Sequence, residues 1–296
     1  MKLRQLGEDR LLARLFPSLR IHKGVVAGAG DDCAVVEKPR GKNLLLLKTD
    51  CVVERIHFAA KTNPVSVGWK AMMRSLSDFA AVSGVPQFAL ITLIVPAQRS
   101  DDWVRKVYRG LNRAAARFDV SIVGGETSNT RGPAVISVSV SGFVEQNRFV
   151  SRKGGKVGDD LFVTGRLGGS LRGKHLRFVS RIKESRWLTQ NFHVHAMMDL
   201  SDGLGADLPR LARASKVGFT VDKNSLPLNP GAKIDNAISD GEDYELLFAI
   251  APRERARLQK SWRKRFPKLP LTRIGSFNRQ SAIGNLQLKG GYIHFK

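Results

Sequence analysis

The stretch AMMDLSDGLGADL, residues 196–208, sets three acids, Asp199, Asp202 and Asp207, around two glycines. Its apolar start reads as a buried strand, and SDG, with Asp as cap and Gly free to take positive φ, reads as a turn. The following LGADLPRLARAS spaces its apolar residues like a helix. A strand, a glycine turn and a helix in that order form one unit of a mixed α and β fold. The acids are unexpected, because the chain carries 49 Lys and Arg against 26 Asp and Glu, a formal charge of +23 over 296 residues.

The same setting recurs along the chain. Acids stand beside glycine, or where a strand ends or a helix begins, in GAGDDC (Asp31, Asp32), KTD (Asp50), GGETS (Glu126) and SDGEDYEL (Asp240, Glu242, Asp243). Asp78 lies instead within a helical pattern, SLSDFAA, where a solvent-facing side would account for it only if the acid points outward. Two unpaired carboxylates ~4 Å apart repel by roughly 4 kcal/mol at an effective dielectric near 20. If these loops converge, divalent cations or basic groups must hold them. Mg²⁺ suits such a site, since it takes oxygen ligands and keeps waters and substrate phosphates.

Between these motifs strands and helices alternate. LLLLKTD reads as a strand ending near Asp50. NPVSVGWKAMMRSLSDFAAVSGVP reads as a helix capped by Asn63, opened by Pro64 and stopped by Gly84 and Pro86. FALITLIVP is a strand and SDDWVRKVYRGLNRAAARF a helix with acids first and arginines last. VSIVGGETSN reads as a strand running into a glycine turn, and AVISVSVSGFV as another strand. A basic, glycine-containing connector, EQNRFVSRKGGKVGD, divides the chain near residue 147. The expectation is therefore an α/β or α+β protein of two domains, 1–147 and 148–296.

Several classes are set aside. No apolar run approaches the ~20 residues of a membrane helix. The opening MKLRQLGEDRLLARLF reads as an amphipathic surface helix from Leu3, Leu6, Leu11, Leu12 and Leu15, and Glu8 and Asp9 argue against a transit peptide. Only Cys33 and Cys51 occur, without CxxC, so a cytoplasmic chain without a disulfide framework is expected. His193 and His195 have zinc-like spacing but no further Cys/His set beside them. Ser77 and Ser201 lack GxSxG, and neither a GxxxxGK[ST] loop nor a kinase HRD/DFG set is present. The basic run RERARLQKSWRKRFPK, residues 253–268, fits a solvated helix face and comes with no nucleic-acid-binding signature.

Taken together, the motifs resemble the thiamine-monophosphate kinase family, within the superfamily of aminoimidazole ribonucleotide synthetase and selenophosphate synthetase. LGEDRLLARLF, GAGDDCAVV, KTDCVVERIHF, GWKAMMRSLSDFAAVSGVP, VGGETS, SRKGGKVGDDLFVTGRLGGS, MDLSDGLGADL, GEDYELLF and GYIHF follow in family order, nearly end to end. The resemblance implies ATP-dependent phosphorylation of thiamine monophosphate to thiamine diphosphate. It also implies two domains with the nucleotide and several Mg²⁺ ions between them, and a homodimer built on the N-terminal sheet. Carried onto matching positions, the metal ligands are Asp32, Thr49, Asp50, Asp78, Glu126, Asp199 and Asp202, with Asp31 adjacent. Gly125, Arg152 and Ser201 match nucleotide positions; His57, Glu242 and Tyr292 match substrate positions. From local sequence alone Arg152 is either a phosphate ligand or a solvent-facing connector charge. No general base is implied, because a phosphate monoester with a second pKa near 6 already carries about −1.5 to −2 charge.

Three departures stand out. Lys48 occupies the usual Ser or Thr before TD, and its ammonium either supplies part of a cation's charge or points away. Glu126 replaces the usual Asp, and Asp240 stands where glycine commonly precedes GED. These leave open another ATP-using member of the superfamily acting on a different phosphorylated or carboxylated small molecule. The net charge alone would suit a nucleic-acid binder on the same scaffold, but the acidic loops would repel that partner unless filled by metal.

Overall fold

The computed structural model describes residues 8–21, 23–28, 30–38, 41–279, 288 and 290–292. Leu3 and Leu6 of the expected opening helix, and residues 293–295 of GYIHF, lie outside the described residues. Helix α1 runs Glu8–Leu15.

Six strands form the first sheet: β1 (Val25–Ala27), β2 (Ala34–Glu37), β3 (Asn43–Val53), β4 (Val85–Val95), β5 (Ser121–Asn129) and β6 (Val135–Glu145). Their spatial order is β1-β2-β3-β6-β4-β5. Only β4 and β5 pair in parallel, joined through helix α3 (Asp101–Arg117). On β3 the period of two puts Leu44, Leu46, Lys48, Asp50 and Val52 on the inner face and Leu47, Thr49 and Cys51 on the outer one. The strand runs past Asp50 to Val53 because its antiparallel ladder with β6 continues unbroken from Asn43↔Glu145 to Val53↔Val135.

VSIVGGETSN does not turn at its glycines. It stays extended through Asn129, and the register with β4 shifts between Ala89 and Leu90. A Cβ on Gly125 would sit 1.8 Å from the carbonyl oxygen of Ile91, so glycine here allows close pairing rather than a reversal.

Helix α2 (Pro64–Ala81) lies against the inner face of this sheet and is buried on nearly every side. Asn63 caps it by accepting a hydrogen bond from the Val65 amide at 2.9 Å. Its crossing with α3 is set by two glycines. A Cβ on Gly68 would meet the Val107 carbonyl oxygen at 1.9 Å, and one on Gly110 the Val65 carbonyl oxygen at 2.0 Å. The two backbones therefore touch, which fixes α2 along its axis.

The second sheet holds β7 (Asp160–Thr164), β8 (Val194–Asp199), β9 (Gly218–Val221), β10 (Leu246–Ile250) and β11 (Leu271–Asn278) in the order β8-β10-β7-β11-β9. It is antiparallel throughout, so α+β describes the fold better than α/β. Helices α4 (Ile182–Asn191), α5 (Leu204–Ala214), α6 (Ile234–Ser239) and α7 (Arg255–Arg265) accompany it. The larger apolar core is continuous across both halves: Met72, Leu76 and Phe79 of α2 share it with Phe162, Phe178, Met197 and Phe248. A smaller core lies in the second half around Leu208, Leu211, Phe219 and Phe277.

On α7 only Leu258 and Trp262, one turn apart, are buried, and its basic side chains face outward, as the solvated-face reading expects. Among the described residues no helix is long and apolar enough to cross a membrane.

Candidate functional site

The loop before β2, helix α2 and the end of β8 converge on one point. Asp32, Asp78 and Asp199 are all buried there, with one carboxylate oxygen of each within 4.8 Å of the others. Ser77 donates to Asp199 at 2.6 Å, and the Arg152 guanidinium binds Asp32 through two bonds of 2.9 and 2.7 Å. Neighbouring Asp31 accepts from the Ser151 hydroxyl at 2.8 Å. Arg152 is thus not a solvent-facing connector charge; it reaches back across the junction of the two halves.

These carboxylates lack enough counter-charge. Burial, followed by repulsion from Asp32, pushes Asp199 up to about 7 despite the Ser77 hydrogen bond. Burial also drives Asp78 well above the usual carboxylate range; Lys48 opposes this, while Asp50, Asp199 and Asp32 add to it. For Asp50 burial acts upward, but Lys48 and Arg74 outweigh it and hold the group below its ordinary value. A cluster of oxygen donors short of positive charge fits a hard divalent cation of the Mg²⁺ kind.

Lys48 does not point away. Its Nζ lies 3.0 Å from Asp78 and 3.7 Å from Asp50, so its ammonium already neutralises part of the cluster. Asp78, the acid within a helix, points inward.

Asp202 lines the adjoining cleft of about 540 Å³ together with Asp31, Lys48, Asp78, Arg152 and Ser201. Its carboxylate is bound by Arg210, and Asp207 accepts from its amide at 2.9 Å. The three acids of residues 196–208 thus have three different places. Asp199 joins the cluster, Asp202 sits on the cleft wall, and fully buried Asp207 holds the first turn of α5 to the loop.

A second pocket adjoins the first and shares Arg74, Ser201 and Asp202 with it. His57, Glu242, Tyr244 and Tyr292 also line it, bringing together all three residues expected at the substrate. The loops are stitched by backbone bonds, Glu242 N to Ser201 O at 2.7 Å and Tyr292 N to Asp202 O at 2.8 Å. Glu242 and Tyr244 both adopt positive φ, 64° and 51°, an uncommon conformation for such side chains and one often found at functional sites.

Glu242 is anchored by Lys70 at 2.7 Å and His175 at 2.9 Å. Its burial acts upward, yet the His175 hydrogen bond and the Lys70 charge bring it down to about 2. Burial lowers fully enclosed Lys70 to about 8. Lys70 also donates to the carbonyl oxygen of His57, while the Val53 amide donates to His57 Nδ1 at 3.0 Å. That bond leaves the proton of a neutral His57 on Nε2.

Thr49, Gly125 and Glu126 are not brought to the buried trio. The Thr49 hydroxyl lies on the outer sheet face, 2.9 Å from Ser139 Oγ, because one residue along a strand reverses the side. Gly125 and Glu126 are exposed on edge strand β5, where the Glu126 carboxylate accepts from the Thr127 amide at 3.0 Å. Asp240 and Asp243 serve the RLGGS loop, accepting from the amides of Gly169 and Gly168, each at 2.8 Å.

Sequence reasoning missed Lys70, Arg74, His175 and Tyr244. A signal existed for two of them: Lys70, Arg74 and Asp78 recur every fourth residue, a polar stripe on a helix otherwise committed to the core.

The chain matches the models of the AIR synthase related protein N-terminal domain over residues 30–144 and C-terminal domain over residues 131–276. It is 37% identical to the thiamine-monophosphate kinase of Rhodopirellula baltica, covering 90% of this chain and 88% of that one. Identity to the enzyme of Aquifex aeolicus is 35% with both chains covered in full. A solved structure described as AaThiL complexed with AMPPCP and TMP superposes with a TM-score of 0.85 at 32% identity, over 99% of each chain. The two-sheet fold, the buried acid cluster with its adjoining pocket and these likenesses all agree: the chain belongs to the thiamine-monophosphate kinase family.

Proposed function

We propose that this chain transfers the γ-phosphoryl group of ATP to the phosphate of thiamine monophosphate, giving thiamine diphosphate and ADP. The observation that carries this reading is the joining of two pockets. The wall of His57, Glu242 and Tyr292 opens through Ser201, Asp202 and Arg74 onto the cleft lined by Asp31, Lys48, Asp78 and Arg152, with Asp32 and Asp199 buried next to Asp78. The related structure in complex with AMPPCP and TMP supports the same pair of ligands.

Tyr292, half exposed beside the pocket, offers a ring face to the thiamine rings, and Glu242 offers a fixed negative charge to their cationic part. Ser201 and Arg152 address the nucleotide phosphates. Asp32, Asp78 and Asp199, with Asp50 and Asp202 beside them, are the residues that would hold Mg²⁺. When bound, the ions supply positive charge to the crowded phosphate oxygens, which is most of what phosphoryl transfer requires. An acceptor phosphate ionised at neutral pH needs no base, so transfer is direct and in line, without a phosphoenzyme.

The outer face of the first sheet exposes Leu47, Phe88, Leu90 and Val123 around one apolar concavity. A second copy seated there would form the homodimer, covering the face that carries Thr49 and the edge that carries Gly125 and Glu126. Residues 1–147 and 148–296 are then the two domains, and the setting is cytoplasmic.

Incubation with ATP, Mg²⁺ and thiamine monophosphate tests the reading by chromatography of the products. Equal amounts of thiamine diphosphate and ADP are expected. No diphosphate, with thermal stabilisation by ATP retained, would overturn it in favour of another phosphorylated or carboxylated acceptor.

A further inference from the structure

Arg74 projects from the middle of α2 into the wall that the two pockets share; it lines both. Its Nη1 is buried and has no hydrogen-bond partner among the described residues. The carboxylates whose charge favours the Arg74 guanidinium are already bonded elsewhere: Asp50 and Asp78 to Lys48, Glu242 to Lys70 and His175. They give Arg74 a favourable field without taking up that N–H. A buried donor left unpaired is costly, and a charged one more so. The planar fork of a guanidinium matches phosphate oxygens better than any other side chain.

Resting on the function proposed above, we infer that Arg74 is a phosphate ligand at the point of transfer, donating from Nη1 to the γ-phosphoryl group as it passes between the pockets. The acceptor phosphate oxygen forms a bond to the γ-phosphorus while the bond to the β–γ bridging oxygen breaks. That electron pair leaves with ADP, and no proton moves. Arg74 adds positive charge one helical turn before Asp78, where the two pockets meet. The role follows from its place between the cavities.

The test uses the full chain and its Arg74→Met, Arg74→Lys and Arg74→Ala variants, with AMPPCP and ADP titrated calorimetrically in the presence of Mg²⁺. Arg74→Met should bind AMPPCP about tenfold more weakly while ADP, which lacks the γ-phosphate, binds as to the parent. Turnover should fall on the order of 100- to 1,000-fold, with Arg74→Lys between the two. In Arg74→Ala, millimolar guanidinium should restore part of the lost rate, a response that a purely structural arginine would not give. Unchanged turnover and unchanged discrimination between AMPPCP and ADP would overturn the proposal. So would equal weakening of both nucleotides with a collapsed melting temperature and no guanidinium rescue. Should the parent form no thiamine diphosphate, the acceptor assignment fails, and the contrast between AMPPCP and ADP still decides the role of Arg74.

Discussion

Lys48 holds its ammonium 3.0 Å from Asp78, inside a cluster otherwise built for cations. Burial opposes its charge, but Asp78 and Asp50 outweigh that and keep it protonated far above neutral pH. Lys48→Thr removes this charge. Mn²⁺ should then bind about tenfold more tightly, or in one additional equivalent, when followed by electron paramagnetic resonance. Unchanged affinity and stoichiometry would show that Lys48 and metal do not share the site.

Asp78→Asn and Asp199→Asn should separate activity from folding. Each removes a charge that burial, and then the neighbouring carboxylates, disfavour, so melting temperatures should hold or rise. Turnover with Mg²⁺ should nonetheless drop by at least about 100-fold, as expected when charge stabilisation at a phosphoryl group is lost. Steady-state rates beside thermal melts check both halves of the expectation.

Glu242 makes acid stability predictable in sign. Its folded-state pKa, about 2, lies below the ordinary 4.5, so its contribution is complete above pH 4.5 and disappears as pH falls toward 2. Its upper limit is about 3 kcal/mol, since each pKa unit is about 1.4 kcal/mol. The stability gap between the parent and Glu242→Gln, from urea titrations at pH 5.5 and pH 3, should narrow at the lower pH. A constant gap would mean that the Lys70 and His175 bonds do not set this pKa.

Leu90 is half exposed on the outer face of β4, near Phe88 and Val123. In Leu90→Lys a buried ammonium would oppose association at the proposed interface. Sedimentation velocity should give a dimer for the parent and a monomer for the variant, with the circular dichroism spectrum retained.

Much of this molecule was legible from its residues. Asn63 and Pro64 announced α2, and the ordered acidic motifs announced the fold; of the seven ligands those motifs implied, Asp32, Asp78 and Asp199 meet in one cluster. What stayed hidden needed three dimensions. The glycines at 124 and 125 read as a turn because local sequence does not reveal a neighbouring backbone 1.8 Å from where a Cβ would lie. Alternation on β3 separates Thr49 from Asp50, yet only the completed sheet shows which face meets α2. Arg74 looked like one more charge in a basic chain. Its meaning comes from the two cavities it stands between.

The pinning of α2 by Gly68 and Gly110 also constrains how this sequence can change. Lys70, Arg74 and Asp78 are spaced by successive turns of one helix, and each turn advances about 5.4 Å. Insertion or deletion of one residue between them would rotate everything beyond it by about 100°. With the helix unable to slide in compensation, the charged stripe would swing into packed hydrocarbon while methionines and phenylalanine turned toward the ligands. A change in the length of this segment would therefore displace the whole stripe at once, where a point substitution alters one side chain.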